Sequence, residues 1–512
     1  MAFDDYPRTQ VEVSDGNLRI ASVPGSPRVL LLGVTDNTAQ ALNEPIRVVG
    51  NVNIADFDSL DGTPSVLSKA IQEVQDAGAD NIEVMVVANR YGAASGKTFN
   101  TANPVNILSV DHGLLTGDQV YVHTLSVVDF VEGTYTITKI DADNFTLDGV
   151  DNSAGTGGTL SYDSRYPALA YTYDLLLDHD ADIVVPVGVF IDTPLGAAAN
   201  YGWQLANFCY QASVNFNSYV GVIGTEPITA GATISLTELS TWVTAMGIYD
   251  TSTVNGTDFV IYDGTTDIGA DGIPDNYAFW ATSDEAIPTG APPKEDTEVL
   301  TDRNNQPVDI GKYISVVAGQ YLFFNELARR ADPVNKYYSG DGAAAYAGLI
   351  TKLKSESAPT NKPIIGPTII RNPSISQADT LANRRFVVFR EGRLGTTVVN
   401  AMTGAYKIDD NYRSDFVRLS TMRIVNEAVE RVRNVANPFI GEANTGIARQ
   451  ALKAELDQEL SKMIERGALQ RASSSIISTP TMQVLGQVVI DLVLVPAFEI
   501  ITITQRVALA SS

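Results

Sequence analysis

The chain has 512 residues, with 60 Asp and Glu against 35 Lys and Arg, for a formal charge of −25. That length exceeds what one hydrophobic core organises and predicts roughly two to four domains. The acidity excludes a nucleic-acid groove, which needs a concentrated basic face, and the lone Cys209 excludes an intramolecular disulfide framework.

The opening MAFDDYPRTQ has neither the basic nor the apolar region of a signal peptide. No apolar run approaches the roughly 18 residues of a membrane span, so synthesis in the cytosol without membrane insertion is expected. Residues 1–26 read as an arm, broken by Asp4, Asp5, Pro7, Asp15 and Gly16. Short strand potential is confined to Val11–Val13 and Leu18–Ile20, and such a segment orders only by docking.

From Arg28 the pattern becomes layered α/β. Val29–Val34 (VLLLGV) is a buried-type strand, Thr63 and Pro64 offer a helix start, and Leu67, Ala70, Ile71 and Val74 share one helical face that stops at Gly78. Asn81–Ala88 (NIEVMVVA) is the next strand, giving a βαβ-like unit. Residues 95–165 interrupt it with short β segments and Gly/Asp turns, HGLLTGDQVYV then GTYTITKIDADNFTL then GVDNSAGTGG. They predict a small β-barrel or meander inserted into a loop, and their wording resembles small β modules that recur in phage tail proteins.

The α/β pattern resumes at Tyr166. Asp182–Phe190 and Tyr219–Gly224 read as strands around a helix carrying Trp203, Leu205, Phe208 and Cys209. Between 225 and 310 only a helix near Leu236–Met246 and a strand at Asp258–Tyr262 emerge, followed by a Pro-rich loop at Glu285–Pro293. Gly311–Arg330 reads as a strand and then a helix. Arg385–Glu391 and Thr396–Ala401 predict strands, and Asp415–Asn434 a helix with Met422, Val425, Val429 and Val432 on one stripe. A second helix runs from Thr445 to Gly467 over Leu452, Leu456, Leu460, Met463 and Ile464. Its other face carries Arg449, Lys453, Asp457, Lys462 and Glu465, and a small polar spacer, Arg471–Thr479, follows as a candidate hinge. The chain closes on VVIDLVLVPAFEIITITQRV, two strands parted by Pro496. A strand so near the end must pair within its own domain or add to another chain's sheet edge.

Chemistry is sparse. GAASGKT (Gly92, Gly96, Lys97, Thr98) has three residues between its glycines where a phosphate loop needs four, and it leads into β structure, so it reads as a linker. Asp263–Asp275 places Asp267 and Asp271 as candidate cation ligands, but Gly269 holds a ligand position and no Glu closes the loop, leaving an acidic turn as the alternative. His112, His123 and His179 lack metal-ligand spacing and read as structural. Trp203, Trp242 and Trp280 read as core or interface anchors. No nucleophile elbow or catalytic constellation stands out; no cofactor is expected.

The last third carries a resemblance. FIGEANTGIARQALKAELDQELSKMIERGAL (Phe439–Leu469), followed after the spacer by the closing strands, is similar to the tail sheath proteins of contractile-tailed bacteriophages and related contractile injection systems. The matching positions are Phe439, Asn444, Thr445, Gly467, Ala468, Leu469, Pro496, Glu499 and Ile500; Ala382–Thr397 (ANRRFVVFREGRLGTT) fits the preceding part. The sheath wording P-S-x-x-V-A-G reads YISVVAGQ here, without its Pro. The resemblance implies a structural polymer and not an enzyme. Subunits would stack as sixfold rings around an inner tail tube, engage baseplate and tail terminator proteins, and contract to drive the tube through an envelope. It places the protein in a phage tail assembled in the host cytoplasm.

The same resemblance makes Val11, Val13, Leu18 and Ile20, with Glu499, Ile500, Ile501, Thr502, Ile503 and Thr504, inter-subunit arm strands. Pro496 becomes the hinge between Val488–Val495, kept in the chain's own sheet, and Glu499–Val507, lent to a neighbour. Arg449, Lys453, Asp457 and Lys462 become the candidate tube-contact face, for their dense mixed charge. The expected fold class is a multi-domain α/β (α+β) chain: an N-terminal arm 1–26, an α/β domain from 27–94 with 166–310, an inserted β domain 95–165, a C-terminal domain 311–486 and terminal strands 487–512. The alternative is a non-contractile surface or baseplate protein that uses the β insertion to bind a receptor.

Overall fold

Apolar runs seed the main sheet. A computed structural model describes residues 27–48, 54–126, 130–191, 193, 195, 200–215, 217–226, 310–319, 321–324, 337–369, 372–383, 385–393, 395–405 and 414–500. In it, β1 (Val29–Val34), an edge strand β2 (Ile46–Val48), helix α1 (Val66–Ala77) and β3 (Ile82–Ala88) follow in order. β1 and β3 are parallel neighbours, with Leu31 opposite Val84, as the strand–helix–strand spacing predicts. The helix starts later than Thr63–Pro64, because the Thr63 hydroxyl is spent on Asp61 at 2.6 Å. Ser65 caps it instead, accepting from the Ser68 amide, and Gly78 ends it at φ 106°, a conformation that costs only glycine nothing.

Six strands then close a barrel: β4 (Ala93–Phe99), β5 (Val105–Leu108), β6 (Gln119–His123), β7 (Gly133–Lys139), β8 (Asn144–Leu147) and β9 (Gly158–Asp163), in the order β4-β5-β8-β7-β6-β9. Alternate residues fill it, among them Ile107, Val120, Val122, Ile137, Phe145 and Leu160. Closure removes the edges that an inserted meander would expose. The barrel returns to the sheet without slack. Gly92 and Ser164 exchange hydrogen bonds of 2.9 and 3.0 Å, and Arg165 pairs with Asp163 at 2.6 Å while donating to the Gly188 carbonyl.

Beyond the barrel come α2 (Arg165–Leu175), β10 (Ile183–Pro186), α3 (Tyr201–Val214), β11 (Val220–Gly224) and β12 (Ile314–Val317). Then follow β13 (Tyr321–Phe324), β14 (Tyr337–Gly340), α4 (Ala343–Lys352), β15 (Thr368–Ile369), α5 (Ile375–Asn383), β16 (Phe386–Val387) and a hairpin of β17 (Phe389–Gly392) with β18 (Gly395–Val398). The main sheet runs β16-β12-β11-β10-β1-β3-β2, parallel except for β2. The boundary expected at residue 310 therefore falls inside one sheet. Ile314–Val317 is buried at every position, and such a strand takes a parallel neighbour on both sides. Tyr321–Phe324, within the stretch Gly311–Arg330 read as a strand and then a helix, is a second strand, antiparallel to β14 and β15, as its alternating burial suits.

Helices α1 and α4 cross closely. A Cβ on Gly348 would lie 2.5 Å from the Val74 carbonyl oxygen and 2.8 Å from the Ala77 Cβ. Backbone cannot retreat as a side chain can, so Gly348→Ala is expected to destabilise this unit by about 1–3 kcal/mol. Chemical denaturation followed by circular dichroism measures it.

The described residues divide into two compact units, 27–352 with 363–417 and 353–362 with 418–500. The second contains α6 (Leu419–Ala436), α7 (Gly446–Arg466), β19 (Leu469–Ile477), a short α8 (Pro480–Val484) and β20 (Val489–Pro496). Thr445 caps α7 and Gly467 ends it at φ 83°, the bounds read from the sequence. Its core is Ile424, Ala428, Val432 and Ala436 of α6 against Leu452, Leu456, Leu460 and Met463 of α7, closed by Leu469 and Leu494 of the hairpin. Met422, Val425 and Val429 are buried as well, whereas Ile464 is exposed at the margin. The boundary expected at 486 is absent, because β20 completes this core.

Candidate assembly surface

Strands β19 and β20 pair antiparallel over their whole length, from Ile477 opposite Val489 to Leu469 opposite Pro496. Arg471–Thr479, expected as a hinge, is thus mostly strand. Its small residues serve close packing: Ser474 is buried, and its hydroxyl donates to Asp457 on α7 at 2.6 Å. Ala472, Ile476, Ile490 and Leu492 line the inner face with Leu469 and Leu494. The outer face sets Arg471, Ser473, Ser475 and Ile477 opposite Val495, Val493, Asp491 and Val489. Val493 is 55% exposed and Val489 44%, and at the hairpin tip Val484 is 89% exposed. Among the described residues this sheet has two strands only, so each presents one unpaired edge. Such edges accept another strand through main-chain hydrogen bonds.

The chain does not leave its own unit at Pro496. The Ala497 amide donates to the Ala468 carbonyl at 2.9 Å, one step past the ladder. Glu499, expected to serve a neighbour, is held by its own chain: Thr360 Oγ1 donates to its Oε2 at 3.1 Å, and the Arg418 Nε lies 3.8 Å from its Oε1. Phe498 and Ile500 on either side are 55% and 80% exposed. The other expected arm residues, Val11, Val13, Leu18, Ile20, Ile501, Thr502, Ile503 and Thr504, lie outside the described residues. So do Asp267 and Asp271 of the candidate cation loop, Trp242, Trp280, and the elements expected between 227 and 309.

The charged face of α7 is largely engaged within its own unit. Arg449 donates to the carbonyl and side-chain oxygens of Asn444, at the turn before the helix. Lys453 bridges Asp457 at 2.7 Å and the Ser474 carbonyl at 3.0 Å, and Lys462 pairs with Glu459. Burial is the largest single influence on Asp457 and opposes its ionisation, but hydrogen bonds from Lys453 and Ser474 and the Lys453 charge together outweigh it and hold its carboxyl below the usual range. Of the four candidate contact residues, Lys453 and Asp457 therefore tie α7 to β19, although each remains about half exposed.

Sequence reading missed the polar cluster beneath this surface. Glu427 accepts from Arg466 at 2.7 Å, from Arg431 at 2.9 Å and from Ser355 at 2.5 Å. Arg431 continues to Glu459 and Arg466 to Glu356, while Arg423 donates to the carbonyls of Leu353 and Lys354. These bonds pin segment 353–362 to α6 and α7. Apart from Glu427 and Arg431, one turn apart on α6, the partners lie 28 to 111 residues apart in sequence and leave no local signal.

The chemistry elsewhere is structural in geometry. In the barrel, His112 Nδ1 accepts from the Leu114 amide, so its Nε2 carries the hydrogen and donates to the Asp141 carbonyl. His123 meets Thr124, and His179 meets Glu83 at 2.9 Å. GAASGKT is β4 with a bulge between Ala94 and Lys97, not a loop opening a helix. The Cys209 thiol is buried and pushed well above its ordinary range. Among the described residues, no group of three or more His, Cys, Asp or Glu is placed to hold a metal, and no helix is long and apolar enough to cross a membrane.

No family model and no curated protein sequence matches this chain. Solved structures do. The helical sheath of the anti-feeding prophage (AFP) in its contracted state is 11% identical, with 98% of each chain covered and a TM-score of 0.51. The sheath complex of the extracellular contractile injection system PVC, also contracted, is 11% identical, covering 98% of this chain and 97% of that one at a TM-score of 0.51. The fold is that of the tail sheath proteins of contractile injection systems, an α/β multi-domain chain carrying a small closed β-barrel.

Proposed function

We propose that this chain is a sheath subunit: a structural protein that polymerises into a contractile tube and performs no catalysis. The observation that carries the reading is the likeness to two contractile sheaths over nearly the whole chain, together with a hairpin whose edges carry no further strand among the described residues, where strands of a second copy would add. The −25 charge disfavours a nucleic-acid role. On this reading subunits form hexameric rings stacked around an inner tail tube, bounded by a baseplate and a tail terminator, in a phage tail or related particle. Residues 11–13, 18–20 and 501–504 serve as strands exchanged with neighbours.

Main-chain ladders suit a moving mesh, because their hydrogen bonds persist while rigid units rotate beside them. Contraction then needs no nucleotide. An extra ~200 Å² of apolar contact per subunit in the contracted state supplies about 5 kcal/mol each, summed along the tube.

Electron microscopy of the purified full-length protein tests this. Long hollow tubes are expected. Monomers or discrete particles across a range of concentration and salt would overturn the reading and favour a surface or baseplate protein with the barrel as its receptor-binding part.

A further inference from the structure

Glu499 occupies an unusual position for a residue of an exchanged strand. Its side chain is 8% exposed and fastened to two segments of its own unit, residues 353–362 through Thr360 and the start of α6 through Arg418. Arg418 also reaches the Glu499 backbone carbonyl at 3.5 Å. Its neighbours Phe498 and Ile500 are 55% and 80% exposed. Upstream, Pro496 and Ala497 still belong to the β19–β20 ladder. Residues 496–499 are therefore anchored on alternate sides, by backbone and then by a buried side chain, while apolar groups at 498 and 500 are turned to solvent.

We propose that Glu499 is the positioning residue of the C-terminal arm: clamped by Thr360 and Arg418, it fixes where residues 500 onward leave the subunit and displays Phe498 and Ile500 to a second copy of this chain. The inference rests on the sheath reading and sharpens it. The release point lies at residue 500, and the proline at 496 ends a ladder within the chain's own unit.

What Glu499 supplies is an acceptor in a fixed place, not a charge. Burial pushes its carboxyl above the ordinary glutamate range, while the Thr360 hydrogen bond and the Arg418 charge pull it back. A neutral amide still accepts from Thr360 and leaves the Arg418 bond to the backbone intact. Glu499→Gln therefore keeps the Thr360 bond and gives up only the 3.8 Å Arg418 contact, Glu499→Ala removes the side-chain part of the clamp and leaves only the Arg418 bond to the backbone, and Thr360→Val removes one half of the side-chain part.

The test is hydrogen exchange of the unassembled full-length protein, followed by polymerisation. Glu499→Ala is expected to speed exchange across 497–500 about tenfold, with peptides from α6 and α7 unchanged, while Glu499→Gln tracks the wild type. Adding Thr360→Val to Glu499→Ala should add little, because the two remove one interaction. Glu499→Ala should also raise the concentration needed for tubes by about tenfold, since a disordered arm must be ordered on binding. Wild-type exchange in Glu499→Ala, or equal acceleration throughout the unit, overturns the clamp. Faster exchange with tubes at unchanged concentration overturns its part in assembly. Wild-type protein that forms no tubes counts against the sheath reading, and the exchange result still decides the clamp.

Discussion

Protein lacking residues 501–512 is expected to fold normally and to form no tubes. The described core of the second unit ends at Leu494, and the last anchors to the unit among the described residues are Ala497 and Glu499. Cutting after Ile500 removes none of these, so unfolding free energy should stay within about 0.5 kcal/mol of wild type. The segment removed, ITITQRVALASS, opens by alternating Ile501 and Ile503 with Thr502 and Thr504, a pattern suited to adding to an open sheet edge. A cut at Pro496 would be a poorer experiment. It would strip the Ala497 hydrogen bond and the Glu499 clamp, so lost assembly could follow from a damaged unit. Thermal unfolding and sedimentation velocity on the 501–512 deletion separate the two effects. Normal tubes from it would remove the exchanged-strand argument and leave side-chain contacts between subunits to hold the polymer.

Where the sequence was legible, the signal was local. Val29–Val34, the α1 stripe with its stop at Gly78, and α7 between Thr445 and Gly467 each carry their own period and caps, and all three stand where they were expected. The barrel was legible because helical periodicity vanishes between two stretches of it, although hydrophobicity alone cannot tell closure from a meander. What failed was long-range. Ile314–Val317 joins a sheet whose other strands lie about seventy or more residues away, so no window of sequence shows that the domain continues. The spacer RASSSIIS looks flexible because it is small and polar. Its smallness instead lets β19 lie against α7, with Ser474 bonded to Asp457. Glu499 fits the sheath wording, which implies that it serves a neighbour. Its partners, Thr360 and Arg418, are 139 and 81 residues away, and only the folded chain brings them together.

Arg466→Ala should cost the second unit about 2–3 kcal/mol at neutral pH, and the loss should shrink in acid. Replacing a buried pair wholesale by apolar groups is often neutral, but removing one partner strands the other, at up to about 3–5 kcal/mol. Glu427 is 12% exposed and would lose its doubly bonded partner, yet Arg431 and Ser355 would still donate to it, which brings the figure down. Burial alone would raise the Glu427 carboxyl; hydrogen bonds from Arg466, Ser355 and Arg431 outweigh it and hold the group below its ordinary 4.5. A carboxyl depressed on folding adds stability that is fully present above its unfolded value and is lost as pH falls through its folded one. Wild type should therefore weaken below about pH 4.5 through this group, while Arg466→Ala, with its Glu427 less depressed, weakens less steeply there. Denaturant midpoints for both proteins between neutral and acid pH measure the gap. Parallel curves, with a constant gap at every pH, would mean that Arg466 contributes through its packed stem and not through its charge.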